Sequence, residues 1–154
     1  MRETQILQGL NHQVIVKMHG FFIDQEEEGQ WFLCILMEYA SKGDLHQLIE
    51  SSRKNKEYMP EQLIWDICRQ ITEGLHYLHN NSIMHRDIKP HNILITSQGT
   101  FKIADLGISR NLNSQTSTLH ISKIGTPLYA APEMLRKQPY DFKIDMWALG
   151  CLLY

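Results

Sequence analysis

The chain has 154 residues, enough for one domain with a buried core, and 43% of them are hydrophobic. A net charge of −2 gives no electrostatic reason to expect a nucleic acid or an anionic membrane as partner. Three widely separated cysteines indicate reduced thiols, and no apolar run is long enough to span a bilayer. We therefore expect a cytoplasmic protein, with the nucleus or the cytoskeleton as alternatives.

The first part of the chain predicts a helix end followed by two strands. Residues 1–10 place apolar side chains at helical spacing before a Gly-containing stop. Residues 14–22 and 31–37 are apolar runs, separated by an acidic turn at residues 24–30. A short polar turn between two strands favours an antiparallel pair, and we expect the second strand to be largely buried.

Two helices are predicted next. A turn at residues 41–44 caps a short helix over residues 45–51, and a polar loop occupies residues 53–57. Pro60 opens a long helix that ends at Asn80 and Asn81. This helix carries an apolar stripe that faces a core, formed by Leu63, Ile67, Ile71, Leu75 and Leu78.

The last third predicts a hairpin, a loop and a helix. Short apolar runs at residues 93–96 and 101–103 flank a Ser-Gln-Gly turn. Residues 110–125 are rich in Ser, Thr and Asn, which is typical of a long surface loop. Residues 145–154 form an apolar helix in which the chain stops, so we expect a truncated domain.

Residues 85–107 contain the groups that phosphoryl transfer requires. The reaction needs a base for the attacking hydroxyl, oxygen ligands for magnesium, and positive charge near the phosphate. Asp87 is the candidate base, Lys89 the candidate cation, and Asn92 and Asp105 the candidate metal ligands. The predicted hairpin returns the chain, so that Asn92 and Asp105 lie on opposite sides of one metal site.

The strength of this pattern lies in the combination. Any one of these residues alone is typical of a solvated loop, whereas all seven positions together do not match by chance. The set is His85, Arg86, Asp87, Lys89, Asn92, Asp105 and Gly107.

The chain resembles eukaryotic protein kinases over all 154 residues, from the middle of the αC helix to the αF helix of that family. Lys89 is typical of the serine/threonine type. The resemblance implies an α+β fold, with residues 1–38 as part of the N-lobe and residues 39–154 as the hinge and part of the C-lobe. It also implies ATP and Mg²⁺ as cofactors, a protein substrate with a Ser or Thr acceptor, and activation by another kinase or by autophosphorylation in trans.

The same resemblance implies an ATP site at Met-Glu-Tyr-Ala, residues 37–40. Met37 would be the gatekeeper, and the backbone of Glu38 and Ala40 would meet adenine. Asp44 would lie near the ribose, and Leu94 would pack beneath the adenine ring.

It further implies an activation segment that ends in Gly-Thr-Pro-Leu-Tyr-Ala-Ala-Pro-Glu, residues 125–133. Thr126 would lie beside Asp87. Ser122 is either the activating phosphosite or one of several unmodified loop hydroxyls, and Arg86 would pair with a phosphate on this loop. Three residues would have structural roles: Glu3 of αC, Glu133, and Asp145, which would brace the catalytic loop.

Within the kinases, the Asp-Leu-Gly-Ile-Ser-Arg segment at residues 105–110 looks most like the NIMA-related family. No Gly-rich loop and no β3 lysine precede Glu3. Two explanations remain: the chain is part of an ordinary kinase, or it is a reduced, inactive module that binds partners.

Overall fold

The computed structural model describes residues 8–25, 29–106 and 128–154. Its elements are, in chain order, β1 (Met18–Gln25), β2 (Trp31–Met37), α1 (Leu45–Asn55), α2 (Glu61–Asn80), β3 (Ile93–Ile95), β4 (Phe101–Ile103), α3 (Pro132–Leu135) and α4 (Lys143–Leu153). This mixture of helices and small sheets confirms the predicted α+β class. The predicted loop at residues 110–125 lies wholly outside the described residues, and so do residues 1–7 of the predicted helix end. Among the described helices, none is both long and apolar enough to cross a membrane.

Strands β1 and β2 form the predicted antiparallel pair, with Phe21 opposite Ile35. The first strand, however, begins at Met18 rather than at residue 14. Val14 and Val16 instead exchange backbone hydrogen bonds with Ile103, at 2.8 and 2.9 Å. The apolar run at residues 14–22 is therefore divided between two neighbours, and the sequence pattern does not show where the division falls.

The expectation that the second strand is buried was wrong. Five of the seven residues of β2 are exposed, and the exposed fraction of Trp31 reaches 66%. Within the described part of the chain, the β1–β2 pair is a two-stranded sheet with no further strand beside it. An apolar sequence indicates that a strand can be buried, but burial also requires a covering element.

Helix α1 begins where the turn at residues 41–44 predicts. The Asp44 carboxylate accepts a hydrogen bond from the Gln47 amide at 2.8 Å, which satisfies one of the free N–H groups of the first turn. The helix runs to Asn55, four residues beyond the prediction, and Lys56 ends it in a left-handed conformation. The polar residues at 53–55 thus belong to the exposed last turn of the helix rather than to a loop.

Helix α2 supplies the largest share of the main core. The predicted stripe lies inward: Ile67, Ile71, Leu75 and Leu78 are buried, and Leu63 packs at the edge. The segment before β1 is fastened to the same helix. His12 stacks on Tyr77 with ring centroids 4.5 Å apart, and Gln13 donates to the Glu73 carboxylate at 2.8 Å.

At Gly74, helix α2 lies close to β4 and to the segment before β1. A Cβ placed there would lie 2.7 Å from Ile103 Cδ1 and 3.2 Å from Val14 Cγ2. Gly150 of α4 offers a contrast, because a Cβ there meets nothing within 4 Å.

We expect Gly74→Ala to lower the free energy of unfolding by about 1–3 kcal/mol, since overpacking outweighs the better helix propensity of alanine. The control Gly150→Ala gains helix propensity without a clash, so it is expected to be neutral or stabilising by up to about 1 kcal/mol. Urea unfolding monitored by circular dichroism measures both. Equal shifts in the two variants would contradict the close approach.

Candidate active site

The hairpin of β3 and β4 joins the two halves of the candidate site. Ile93 pairs with Ile103, and the Ala104 amide donates to the Asn92 carbonyl at 2.8 Å. Asn92, which precedes β3, therefore lies beside the start of the segment that follows β4, where Asp105 is located. A separation of thirteen residues along the chain becomes a neighbouring position at one end of a two-stranded ladder.

Asp87, Lys89 and Asn92 form one hydrogen-bonded cluster. Lys89 Nζ lies 2.8 Å from Asp87 Oδ2, and Asn92 Nδ2 donates to the Asp87 carbonyl at 2.7 Å and to Oδ2 at 3.1 Å. Because the side-chain amide nitrogen of Asn92 donates to Asp87, the amide oxygen of Asn92 points away from Asp87. The Asp87 side chain remains 28% exposed, so a hydroxyl group from solvent can reach it.

Two residues of this region have left-handed backbone conformations. Arg86 has φ 70° and Asp105 has φ 56°. Such values cost energy for residues other than glycine, although Asp tolerates them better than most, and they persist where surrounding contacts impose them. At Asp105 the turn leaves the side chain exposed on the wall of the cleft.

Asp145 of α4 fixes the backbone that precedes Asp87. Its carboxylate is 1% exposed and accepts hydrogen bonds from the His85 amide at 2.9 Å and the Arg86 amide at 2.8 Å. The His79 ring nitrogen Nε2 lies 2.8 Å from the same carboxylate. Three partners thus compensate the desolvation of a buried charge.

His85 is buried behind the cluster and links it to β4. Its Nε2 lies 2.9 Å from the Ala104 carbonyl, and its Nδ1 accepts a hydrogen bond from the Asp87 amide at 3.2 Å. Burial lowers the pKa of His85, while the Ala104 carbonyl and the nearby carboxylates oppose the shift without reversing it. A neutral ring with its proton on Nε2 satisfies both hydrogen bonds.

Asn92 connects the cluster to a cleft of about 540 Å³ that lies between the β1–β2 pair and the hairpin. Its walls are mainly apolar, and four of the predicted site residues line it: Met37, Asn92, Leu94 and Asp105. Asn92 and Asp105 supply an amide oxygen and a carboxylate to the same space, which are the hard oxygen ligands that Mg²⁺ prefers. The donor set therefore fits magnesium.

The other residues predicted for the ATP site make different contacts. Glu38 turns its carboxylate to Lys102, whose Nζ lies 2.7 Å from both carboxylate oxygens, and the Lys17 amide donates to it at 3.2 Å. Burial alone would raise the pKa of Glu38, but the hydrogen bonds from Lys102 and Lys17 hold it below the usual value. Asp44 is occupied as the cap of α1, and neither Asp44 nor Ala40 lines the cleft.

The remaining predicted residues are only partly described. Glu3, Ser122 and Thr126 lie outside the described residues. Glu133 lies in the first turn of α3. The buried Nε of Arg86 has no hydrogen-bond partner in the part of the chain that the structure describes.

Sequence reasoning missed two contacts, those of His79 with Asp145 and of Glu38 with Lys102. They join residues that are 66 and 64 positions apart in the chain. No local pattern marks such pairs. His79 and its neighbour His76 show only a three-residue spacing on one helix, and His76 contacts Asn80 at 3.0 Å instead.

Comparison with known proteins gives one consistent result. The family model described as "Protein kinase domain" matches residues 1–154. The chain is 39% identical over 153 residues to serine/threonine-protein kinase TIO of Arabidopsis thaliana, covering 99% of this chain and 11% of that protein. It is 38% identical over 157 residues to the probable serine/threonine-protein kinase nek2 of Dictyostelium discoideum, covering 100% and 36%. It is also 38% identical over 158 residues to serine/threonine-protein kinase nekl-2 of Caenorhabditis elegans, covering 99% and 42%.

These figures confirm the predicted family resemblance, including the similarity to NIMA-related proteins. The chain spans between 11% and 42% of the length of these three relatives.

Removal of the Asp145 carboxylate is expected to destabilise the fold strongly. Asp145→Ala leaves the buried amide of His85 and the partly buried amide of Arg86 without their acceptor, which costs about 3 kcal/mol or more of unfolding free energy. The control Asp66→Ala replaces an aspartate on α2 that makes no hydrogen bond or ion pair with a described residue, and its effect is expected to stay within about 0.5 kcal/mol. Urea unfolding distinguishes the two, and a loss for Asp145→Ala no larger than the control's would contradict the bracing role.

The buried His85 also predicts a pH dependence of stability. Its pKa is lowered in the folded state, so below the unfolded-state value near 6.5 only the unfolded chain takes up the proton. The neutral His85 ring therefore contributes fully to the free energy of unfolding above that pH. As the pH falls below it, this contribution decreases by about 1.4 kcal/mol per pH unit. Unfolding free energies measured from pH 7 to pH 5 should therefore decline less steeply in His85→Gln than in the wild type, and equal slopes would contradict the assignment.

Proposed function

Because this chain belongs to the protein kinase family, we propose that it is part of a serine/threonine kinase that transfers the γ-phosphate of ATP to protein hydroxyl groups. The observation that carries the proposal is the hydrogen-bonded cluster of Asp87, Lys89 and Asn92 beside Asp105 at the mouth of an apolar cleft. The proteins it resembles along its whole length are named as serine/threonine kinases.

In the proposed reaction, Asp87 orients the Ser or Thr hydroxyl and takes its proton as the oxygen attacks phosphorus. The new bond joins the substrate oxygen to the γ-phosphorus, the bond from that phosphorus to the bridging oxygen breaks, and ADP leaves with the bonding electrons. Lys89, held 2.8 Å from Asp87, places its positive charge where the transferred group carries negative charge.

Asn92 and Asp105 are the proposed magnesium ligands. A bound Mg²⁺ supplies charge neutralisation on the phosphates of the nucleotide. The chain's own part is to hold the two oxygens together, and the hydrogen bond from the Ala104 amide to the Asn92 carbonyl supports that arrangement. The left-handed turn at Asp105 keeps its carboxylate directed at the cleft wall.

The apolar cleft is the proposed adenine site. Met37 and Leu94 line it from opposite sides, which suits a flat aromatic ring. We assign the hinge backbone contacts to Glu38 and Ala40 and the ribose contact to Asp44. The Glu38 amide already donates to the Lys17 carbonyl at 2.8 Å, so adenine would meet the Glu38 carbonyl instead.

Regulation by phosphorylation is the finer part of the proposal. A phosphate on Ser122, added by another kinase or in trans, would pair with Arg86, whose buried Nε has no partner among the described residues. Thr126 would contact the substrate beside Asp87. Glu3 and Glu133 would have the structural roles that the family implies.

We further propose that the catalytic unit is longer than this chain, with residues 1–38 contributing part of the N-lobe and residues 39–154 the hinge and part of the C-lobe. The exposed apolar side chains of β2, together with the greater length of the relatives, support a covering N-lobe strand and a Gly-rich loop. The cell interior is the proposed location. The competing proposal is a catalytically inactive module that binds partners.

The test uses the protein at its full natural length. Asp87→Asn is expected to reduce γ-phosphate transfer to a general Ser/Thr protein substrate by about 10²–10⁴-fold, because the base is removed while the shape is kept. The control Asp66→Asn is expected to retain wild-type transfer. Incorporation of labelled phosphate measures both rates.

Two outcomes would refute the kinase proposal. Unchanged transfer in Asp87→Asn would remove Asp87 from the reaction. A folded wild-type protein that binds no ATP and transfers no phosphate would favour the inactive binding module.

A further inference from the structure

A second cavity, of about 410 Å³, lies behind the hairpin. We call it the α1 groove, and its floor includes Ile95 and Phe101. Leu94, the residue next to Ile95, lines the cleft instead. Because successive side chains of a strand point to opposite faces, β3 separates the two spaces. A ligand in the α1 groove would therefore not compete with a nucleotide in the cleft.

The floor of the α1 groove is apolar. Ile95 and Phe101 are buried, and Leu48 of α1 and Leu63 of α2 are partly buried beside them. All four pack in the main core or against it, so the floor of the groove is part of the outer surface of that core. Such a floor favours apolar side chains over water.

One wall of the α1 groove carries polar groups in a regular spacing. Gln47 and Ser51 are exposed, line the groove and lie four residues apart on one face of α1. Four residues of helix rise about 6 Å, and two residues of an extended chain advance about 6.6 Å. The side-chain amide and hydroxyl are thus spaced to bond backbone groups two residues apart on an extended peptide.

The end of the α1 groove is positively charged. Lys42 lines it, its backbone amide is fixed to the Ile95 carbonyl at 3.0 Å, and its ammonium group makes no ion pair with a described residue. The two nearest acidic residues along the chain are engaged elsewhere, since Asp44 caps α1 and Glu38 pairs with Lys102. None of the described lining residues is acidic, so the complementary ligand group is a carboxylate.

We propose that the α1 groove binds an extended segment of a partner protein. One acidic residue of the segment pairs with Lys42, and two apolar residues two positions apart enter the floor. Gln47 and Ser51 bond the backbone between them. This docking site goes beyond the phosphoryl-transfer proposal and does not depend on it, since it needs neither ATP nor Asp87.

The test is fluorescence anisotropy on the full-length protein with labelled eight-residue peptides that carry one aspartate and two leucines two positions apart. The aspartate precedes the leucines in one peptide and follows them in the other. Lys42→Ala is expected to weaken binding about five-fold, the loss of one charge pair. Ser51→Trp, which fills the groove from its exposed wall, should weaken it ten-fold or more, on the order of 1.4 kcal/mol.

Matched controls isolate the site. Lys54→Ala removes a lysine from the same helix, outside the groove lining, and should change the affinity less than two-fold. Peptides with lysine for aspartate or serine for both leucines should bind at least about five-fold more weakly. Saturating ADP with Mg²⁺ should leave the affinity unchanged. Circular dichroism and urea midpoints check that each variant is folded.

The proposal is overturned if neither peptide binds, if Lys42→Ala and Lys54→Ala behave alike, or if folded Ser51→Trp binds as well as the wild type. Displacement of the peptide by ADP would place it in the cleft instead. The same measurement on Asp87→Asn gives the peptide affinity without any phosphate transfer. The docking proposal and the kinase proposal can therefore be refuted independently of each other.

Discussion

The buried carboxylate of Asp145 is the constraint on which the geometry of the candidate site depends. A charge that is 1% exposed is stable only with several partners, and Asp145 has the amides of His85 and Arg86 and the ring of His79. The two amides belong to the residues directly before Asp87. Helix α4 therefore sets the position of the proposed base through the backbone, while the Asp87 side chain stays accessible to solvent.

The β3–β4 hairpin connects this fixed backbone to the proposed metal ligands. His85 contacts both the Asp87 amide and the Ala104 carbonyl, so the segment before Asp87 is tied to the segment before Asp105. The positive φ angles of Arg86 and Asp105 occur at the two ends of this connection. Backbone strain at these positions is consistent with a site held by its surroundings rather than by local preference.

The sequence predicts those parts of the structure that depend on local spacing. The stripe of α2, the Asp44 cap of α1 and the hairpin each rest on residues close together in the chain, and the structure has all three elements. Asp87, Lys89 and Asn92 fall within six residues, so their spacing already restricts them to one loop. The long-range pairs of His79 and Glu38 could not be predicted, because nothing near either residue specifies its partner. The prediction that β2 is buried was wrong for a related reason, because an apolar composition does not indicate whether a covering element is present.

The exposed β1–β2 pair has a consequence for motion at the cleft. It forms one wall of the cleft through Leu33, Ile35 and Met37, yet from this pair only Met18 belongs to the buried main core, with Ile35 packed against it. Segments with few buried contacts open at low free energy and exchange their amide hydrogens first. A nucleotide that contacts both walls would draw this equilibrium towards the closed form by mass action, so binding would order the sparsely packed β1–β2 pair.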